Sequence, residues 1–241
     1  MPEYKIDLHC HSHFSLDGVS HPLRMVERAH EVGLNGFVLT DHDTQRGVEY
    51  FRRKGLIRED GKAHEGLLII PGQEVSTYEG HVLAIGVKLD PMPGVRCAEL
   101  LQQVHAAGGI CIAAHPFDPA RRGVGRKVLN EIPFDGVEVF NAASWFPGLN
   151  PKAYHYAKVR GQLMTAGSDS HHPASLGRSH QIVDAAELSV SAVLDALKSG
   201  QCRRHERLMR LQDYIIKSWF NLCRPETPID ETLISDRLSD V

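Results

Sequence analysis

The sequence predicts an α/β protein whose parallel strands close into a barrel of seven, and three observations carry this. Short apolar runs alternate with helical patterns along most of the chain. The runs are continuous rather than alternating in polarity, as in strands covered on both faces. Run after run is followed at once by His, Asp or Asn, which puts the polar residues at the C-terminal mouth of a barrel, where active sites of that fold lie.

Taken in order, Tyr4–Leu8 reads as the first strand, and a loop follows through Gly18. Ser20 is placed to cap a helix with Pro22 in its first turn and Gly33 at its end. Gly36–Thr40 is the second strand, and Thr44 caps a helix towards Lys54. Leu67–Ile70 and Val82–Ile85 are β-like runs separated by the segment PGQEVSTYEGH. Ala98–Ala107 is helical up to the glycine pair 108–109, before the strand Ile110–Ala114. A weaker helix near Lys127–Glu131 precedes the strand Gly136–Phe140, and helix Lys152–Arg160 precedes the strand Leu163–Ala166. A long polar loop then leads to a helix over Leu188–Lys198. The barrel is expected to occupy residues 1–200. Beyond it, Leu208, Leu211, Ile215, Trp219 and Leu222 recur at spacings of three and four, the mark of a helix with one apolar face. Arg203, Arg204, Arg207 and Arg210 crowd its start, Pro225 stops it, and an acidic tail completes residues 201–241. The helix could pack on the barrel or on a second subunit.

Composition narrows the function. The chain has 241 residues, 42% of them hydrophobic and 24% charged, as in a globular domain. A net charge of −3 supplies no global field to attract nucleic acid or anionic membrane. The start lacks the basic-then-apolar pattern of a secretory signal, and no apolar stretch is long enough to span a bilayer, so a cytoplasmic protein is expected. Five scattered cysteines (Cys10, Cys97, Cys111, Cys202, Cys223) form no CxxC and read as free thiols. Histidine is the anomaly: there are 15, and many gather beside Asp and Glu in short motifs.

DLHCHSHFSLDG is the strongest of these motifs. Residues two apart on a strand share a face, so His9 and His11 can hold one cation while Cys10 points away. Asp17 ends the following loop and can reach a neighbouring ion. TDHD supplies His42 at the next strand end, with Asp43 and Thr44 free to cap the helix. PGQEVST supplies Glu74 after an apolar run, where a lone carboxylate is expensive to ionise and bridging two cations removes that cost. His81 and His115 border apolar strands, and GSDSHH offers Asp169 and His171 at the same i, i+2 spacing as the first motif.

In this order the motifs resemble the PHP (polymerase and histidinol phosphatase) superfamily, particularly its small stand-alone phosphoesterases, from about Asp7 to His180. The resemblance implies a distorted seven-stranded barrel holding up to three metals. It assigns His9, His11, Glu74 and Asp169 to a first ion, with Glu74 bridging to a second held by His81 and His115. Asp17, His42 and His171 would hold a third. Imidazole and carboxylate without thiolate suit zinc, manganese or iron, in two or three divalent cations.

The expected activity is hydrolysis of a phosphate ester by a metal-bridging hydroxide. The substrate would be a small phosphorylated metabolite, a nucleotide or an oligonucleotide end. Arg178 is placed to fork a phosphate oxygen, with Arg121 and Arg122 as further candidates. His172 and His180 are candidates to protonate the leaving oxygen by position. Asn141 and Glu138 could also approach the metals. Two other classes compete. Amidohydrolase barrels also begin with HxH and end with Asp, but usually bridge their metals with a modified lysine, where Glu74 stands here. The third class is a metal-loaded regulatory module without catalysis.

Overall fold

The computed structural model describes residues 1–222. The seven expected strands are all present: β1 (Glu3–Cys10), β2 (Gly36–Leu39), β3 (Leu68–Ser76), β4 (His81–Ile85), β5 (Ile110–Ala113), β6 (Gly136–Asn141) and β7 (Leu163–Gly167). Between them lie α1 (Pro22–Glu31), α2 (Arg46–Arg53), α3 (Cys97–Ala106), α4 (Gly125–Glu131) and α5 (Leu149–Arg160). Two caps differ from expectation. His21, not Ser20, caps α1 by accepting from Leu23 N, and Gln45 takes the position before α2, with Thr44 accepting from Arg46 N.

Two further strands were not expected: β8 (His180–Asp184) and β9 (Cys202–His205), separated by α6 (Val190–Lys198). Both are short and polar, so neither carries an apolar signature. Backbone pairing with β1 and with each other makes them strands. The segment 201–205 therefore continues the sheet of the barrel, and α7 (Leu211–Leu222) starts later than the arginine cluster suggested. Leu208, Leu211, Ile215 and Trp219 stand exposed, and the side of α7 turned inward carries buried Asp213. The acidic tail, Pro225 and Cys223 lie outside the described residues. Among the described residues no helix is long and apolar enough to cross a membrane.

The sheet runs β7-β6-β5-β4-β3-β2-β1-β8-β9. It is not wholly parallel: β4 is antiparallel to β3 and β5, because a tight turn at Thr77–Gly80 returns the chain at once. This reversal puts His81, at the start of β4, on the same rim as the C-terminal ends of the parallel strands. Side chains alternate between faces. Val38, Leu83, Ile85, Ile110 and Ile112 join Ile6 and Leu8 in one interior cluster, closed below by Val193 and Leu197 of α6. Phe37 and Leu39 face Met25 and Phe51 of α1 and α2, while Val82, Ala84 and Cys111 face Leu100 and Val104 of α3.

Closure depends on β1, whose second edge is shared. Along Glu3–Ile6 it pairs with β8, and beyond that it pairs with the chain leaving β7. There Asp169 N donates to His9 O and His11 N to Ser170 O, each at 2.8 Å. Buried Asp7 fastens the junction, accepting from Ser168 N and Gly177 N, both at 2.9 Å. Gln181 of β8 fills the gap beside β7: its Oε1 accepts from Ala166 N at 3.2 Å and its Nε2 donates to Met164 O at 3.3 Å. Gln181→Leu should therefore cost about 1–3 kcal/mol, the penalty for stranding buried backbone polar groups. Denaturant unfolding measures it, and an unchanged midpoint would mean that β7 is held by other contacts.

Candidate metal centre

The register of β1 with β2 shifts between Asp7 and Cys10, a bulge-type irregularity that re-aims the strand. Ile6 and Leu8 lie in the interior cluster, yet past the shift His9 and His11 point into the mouth, and Cys10 joins the outer core with Met25 and Phe37. Room for His9 comes from Gly167 at the end of β7, where an added Cβ would sit 2.5 Å from the Cβ of His9. The loops after β1 and β2 are tied together by Asp41, which accepts from Ser12 N at 2.6 Å and Ser12 Oγ at 2.7 Å. Burial raises the Asp41 carboxyl to about 6, against those bonds.

Glu74, within β3 and 1% exposed, is the centre of the site. Its Oε2 lies 2.9 Å from His9 Nε2, 3.2 Å from His11 Nε2 and 3.6 Å from His42 Nε2. Its Oε1 lies 2.9 Å from His81 Nδ1 and 3.0 Å from His115 Nε2. Asp169 Oδ1 stands 3.3 Å from His11 Nε2 and 3.5 Å from His9 Nε2. At the outer edge, His171 Nε2 is 2.8 Å from Asp17 Oδ2, with His42 Nε2 3.9 Å from Asp17 Oδ1. All nine residues named from the motifs are thus brought together. Three groups have ligand atoms mutually close enough to share an ion: His9, His11, Glu74 and Asp169; His11, Asp17, His42 and His171; and His42, Glu74 and His81. His11 and His42 each sit between two groups, a sharing that strand spacing did not reveal.

The hydrogen bonds of the donor set show that it fits divalent cations. His9 Nδ1 donates to Glu138 Oε1 at 3.0 Å, so a neutral ring leaves the Nε2 lone pair facing the Glu74 carboxylate at 2.9 Å. His171 Nδ1 donates to Asp169 O at 2.9 Å and likewise turns Nε2 towards Asp17. His11 Nε2 and His81 Nδ1 are buried and make no hydrogen bond among the described residues, although carboxylate oxygens lie within 3.3 Å. Lone pairs converging on one another need a positive charge between them, which a metal ion would supply.

The same demand for positive charge is visible in the electrostatics. Burial depresses His9, but Asp169, Glu74 and Glu138 outweigh it and hold the imidazole well above its ordinary value. Burial raises Glu74 and Asp169, yet the surrounding cationic groups, led by His42 and His9 for Glu74 and by His9 for Asp169, hold both well below the usual carboxylate range. His115 (φ 26°) and Asp169 (φ 52°) both sit in left-handed backbone, a strain characteristic of functional positions. Each is held there by a backbone N–H bond, His115 N to Glu138 Oε2 at 2.8 Å and Asp169 N to His9 O at 2.8 Å.

Around the nine stand residues that the motifs left out of the ligand set. Glu138 orients His9 and accepts from Asn141 Nδ2 at 3.0 Å, and Asn141 also donates to Asp169 Oδ2 at 3.1 Å. Arg121 reaches the cluster: its Nε donates to Asp118 Oδ2 at 2.9 Å and its Nη1 to Asn141 Oδ1 and Asp169 Oδ2. Its Nη2 has no partner among the described residues. Arg122 turns away and donates to Thr77 O. The signals for Glu138 and Asn141 were present, since both belong to β6 and Asn141 ends it.

Three nominated catalytic residues are not brought to the cluster. Arg178 lies 3.4 Å from Asp213 Oδ2, and His172 Nε2 donates to Asp213 O at 3.0 Å. His180 Nδ1 donates to Gly177 O and its ring stacks on His205 at 4.6 Å. The reason is local: a 3-10 turn at Pro173–Ser175 and a left-handed Gly177 (φ 77°) swing the chain off the mouth within a few residues of His171.

The rim carries aromatic surface. Trp145 (56% exposed) and Phe146 (58%) follow β6, and Trp145 meets Tyr214 of α7 edge-on at 4.4 Å. Burial pushes the Tyr214 phenol up, with Arg121 and Asp169 near enough to pull it in opposite directions.

Comparison with known proteins bears on this geometry. Residues 7–120 match the PHP domain, and residues 147–202 match the PHP-associated family. An uncharacterized protein, MJ1587 of Methanocaldococcus jannaschii, is 29% identical over 148 residues, covering 57% of this chain and 82% of that one. A 5′-3′ exoribonuclease of Haemophilus influenzae is 39% identical over 88 residues, 36% of this chain but only 29% of that enzyme. In three dimensions, a two-domain protein of Bacteroides vulgatus containing a predicted PHP-like metal-dependent phosphoesterase superposes with a TM-score of 0.69 at 21% identity, covering 90% of this chain and 69% of the other. At that identity the likeness concerns the fold. Residues 7–120 thus carry a PHP domain and residues 147–202 a PHP-associated segment, and the histidines and carboxylates that line the mouth fall within these two stretches.

Proposed function

We propose that the protein is a metal-dependent phosphoesterase that hydrolyses a nucleotide-type phosphate ester. The observation that carries this is the Glu74 carboxylate, buried and approached by five imidazoles, with Asp169 beside it and Asp17 at the outer edge. His9, His11, Glu74 and Asp169 would hold one divalent cation, His81 and His115 with Glu74 a second, and Asp17, His42 and His171 a third. Such cations acidify water and offset the charge that develops on a phosphoryl group. In the reaction a water oxygen bonds to phosphorus as the ester P–O bond breaks, and the alcohol leaves with a proton.

The chain's own residues supply position and charge. Glu138 fixes the tautomer and orientation of His9, as a carboxylate behind a metal-type histidine does. Asp118 and Asn141 brace Arg121 so that its remaining Nη2 can donate to a phosphoryl oxygen. Trp145, Phe146 and Tyr214 offer faces on which a base can stack, which favours a nucleotide over a compact sugar phosphate. The exoribonuclease relative is consistent with such a substrate. Activity on a panel of nucleotide and sugar phosphates, run against amides, with metal analysis of the same preparation, tests the reading. Turnover of amides alone would replace it with the amidohydrolase class.

Four variants sharpen the test. His9→Ala or Asp169→Ala should lower the rate by roughly 10²–10⁴-fold, and near wild-type turnover in either would end the hydrolase reading. Asp17→Asn should lower bound metal by about one equivalent while leaving the others, as elemental analysis would show. Arg121→Lys keeps the charge but loses the fork, and should lower kcat/KM by roughly ten- to a thousandfold, about 1.4–4 kcal/mol. Metal content should be unchanged, and intact kinetics would remove Arg121 from substrate contact.

A further inference from the structure

A second concave site lies outside the barrel, against the outer face of β1 and β8. On β8, Gln181 and Val183 turn inward, so His180 and Ile182 turn outward, and Lys5 of β1 is the register partner of Ile182. The sheet thus stands between this site and the histidine cluster. Its cavity holds about 440 Å³, within the range of small-ligand sites. Into it face Lys5, Arg28 of α1, Arg178, and Arg207 and Arg210 from the segment before α7, against the single carboxylate of Asp213.

That balance is unusual for a water-filled hollow. Arg178 and Arg210 N share Asp213 Oδ2, at 3.4 Å and 2.7 Å, while Arg28 spends one nitrogen on Glu31 in an exposed pair. The Nε atoms of Arg178 and Arg28 are buried and make no hydrogen bond among the described residues. Burial lowers the pKa of Arg178, and Arg210, Arg207 and Arg28 add to the effect, so the guanidinium groups lie in one another's field. His180 at the base is kept neutral, since burial depresses it to about 4, and it adds no cation. The sequence had marked these arginines as a cluster; the fold collects Arg28, Arg178 and Lys5 from three other segments onto them.

We propose that this cavity binds a small phosphorylated anion, at a site separate from the ester-cleaving cluster. Several guanidinium forks converging on a half-enclosed volume match the oxygens of a phosphate or pyrophosphate group. The apolar Ile182 and the stacked His180 and His205 rings provide a floor for the rest of the molecule. An extended nucleic-acid backbone would call for a stripe of cations along a surface rather than a pocket. Occupancy would pin Arg178, and with it the loop that begins at the metal-type residue His171.

Titration calorimetry with pyrophosphate on the full, metal-loaded chain tests this, comparing wild type with Arg207→Glu/Arg210→Glu and with Asp169→Ala. The expected result is a site weakened at least tenfold by the charge reversal and retained in Asp169→Ala. Thermal melting without ligand should show no loss of stability in the double variant, because it relieves repulsion. If that variant does not fold, Arg207→Ala, at an exposed position, should still weaken binding severalfold. Unchanged affinity in the arginine variants would overturn the proposal, as would loss of all binding in Asp169→Ala. A single-stranded oligonucleotide that binds through these arginines while pyrophosphate does not would overturn it in favour of a polymer backbone. None of these outcomes depends on which ester the histidine cluster cleaves.

Discussion

A carboxylate buried at the mouth of a barrel has to be matched by positive charge, and Glu74 sets that requirement for the whole structure. Burying an unpaired ionised group costs several kcal/mol even after relaxation. Five imidazoles from four separate segments approach Glu74 within 3.6 Å, and each has its orientation set by the strand or loop that carries it. The features that depart from regular barrel geometry all serve this convergence. The irregular register of β1 turns His9 and His11 inward, the reversal into β4 brings His81 to the rim, and left-handed backbone at His115 and Asp169 aims both side chains at the centre.

The second constraint is the shared edge of β1. Because its lower half pairs with β8 and its upper half with the end of β7, the barrel closes only where the ligands are. Asp7 and Gln181 satisfy the backbone groups that this split would otherwise strand. The same split leaves β8 and β9 as a flange outside the barrel. The chain crosses that flange to reach α7, anchored on the way by Met209 N to Ala142 O. Tyr214 is thereby brought to the rim, and the arginines of the same segment to the opposite face of the sheet. One strand pairing therefore separates an anionic, histidine-rich centre from a cationic cavity.

The seven barrel strands and the nine converging residues were legible because each has a local cause. Apolar runs mark strands, and residues two apart on a strand share a face, so His9 and His11 could be paired on paper. β8 and β9 were not legible: their sequences, HQIVD and CRRH, hold no apolar period, and only partners from distant segments make them strands. The stripe of Leu211, Ile215 and Trp219 misled for the complementary reason. A helical period reports an apolar face but not which way that face turns, and polar bonds through Asp213 decide the docking of α7.

Arginine placement shows the same division. Closeness in sequence to Asp169 favoured Arg178, yet a 3-10 turn and one left-handed glycine carry it to Asp213. Arg121, in the loop after β5, instead spans from Asp118 to Asp169. The sequence by itself determined what the centre is made of, since ligand chemistry belongs to residue types and their spacing along strands. Only the tertiary structure decided which cations serve that centre and which form a separate cavity, because the direction of a long side chain is set by the turns and partners around it.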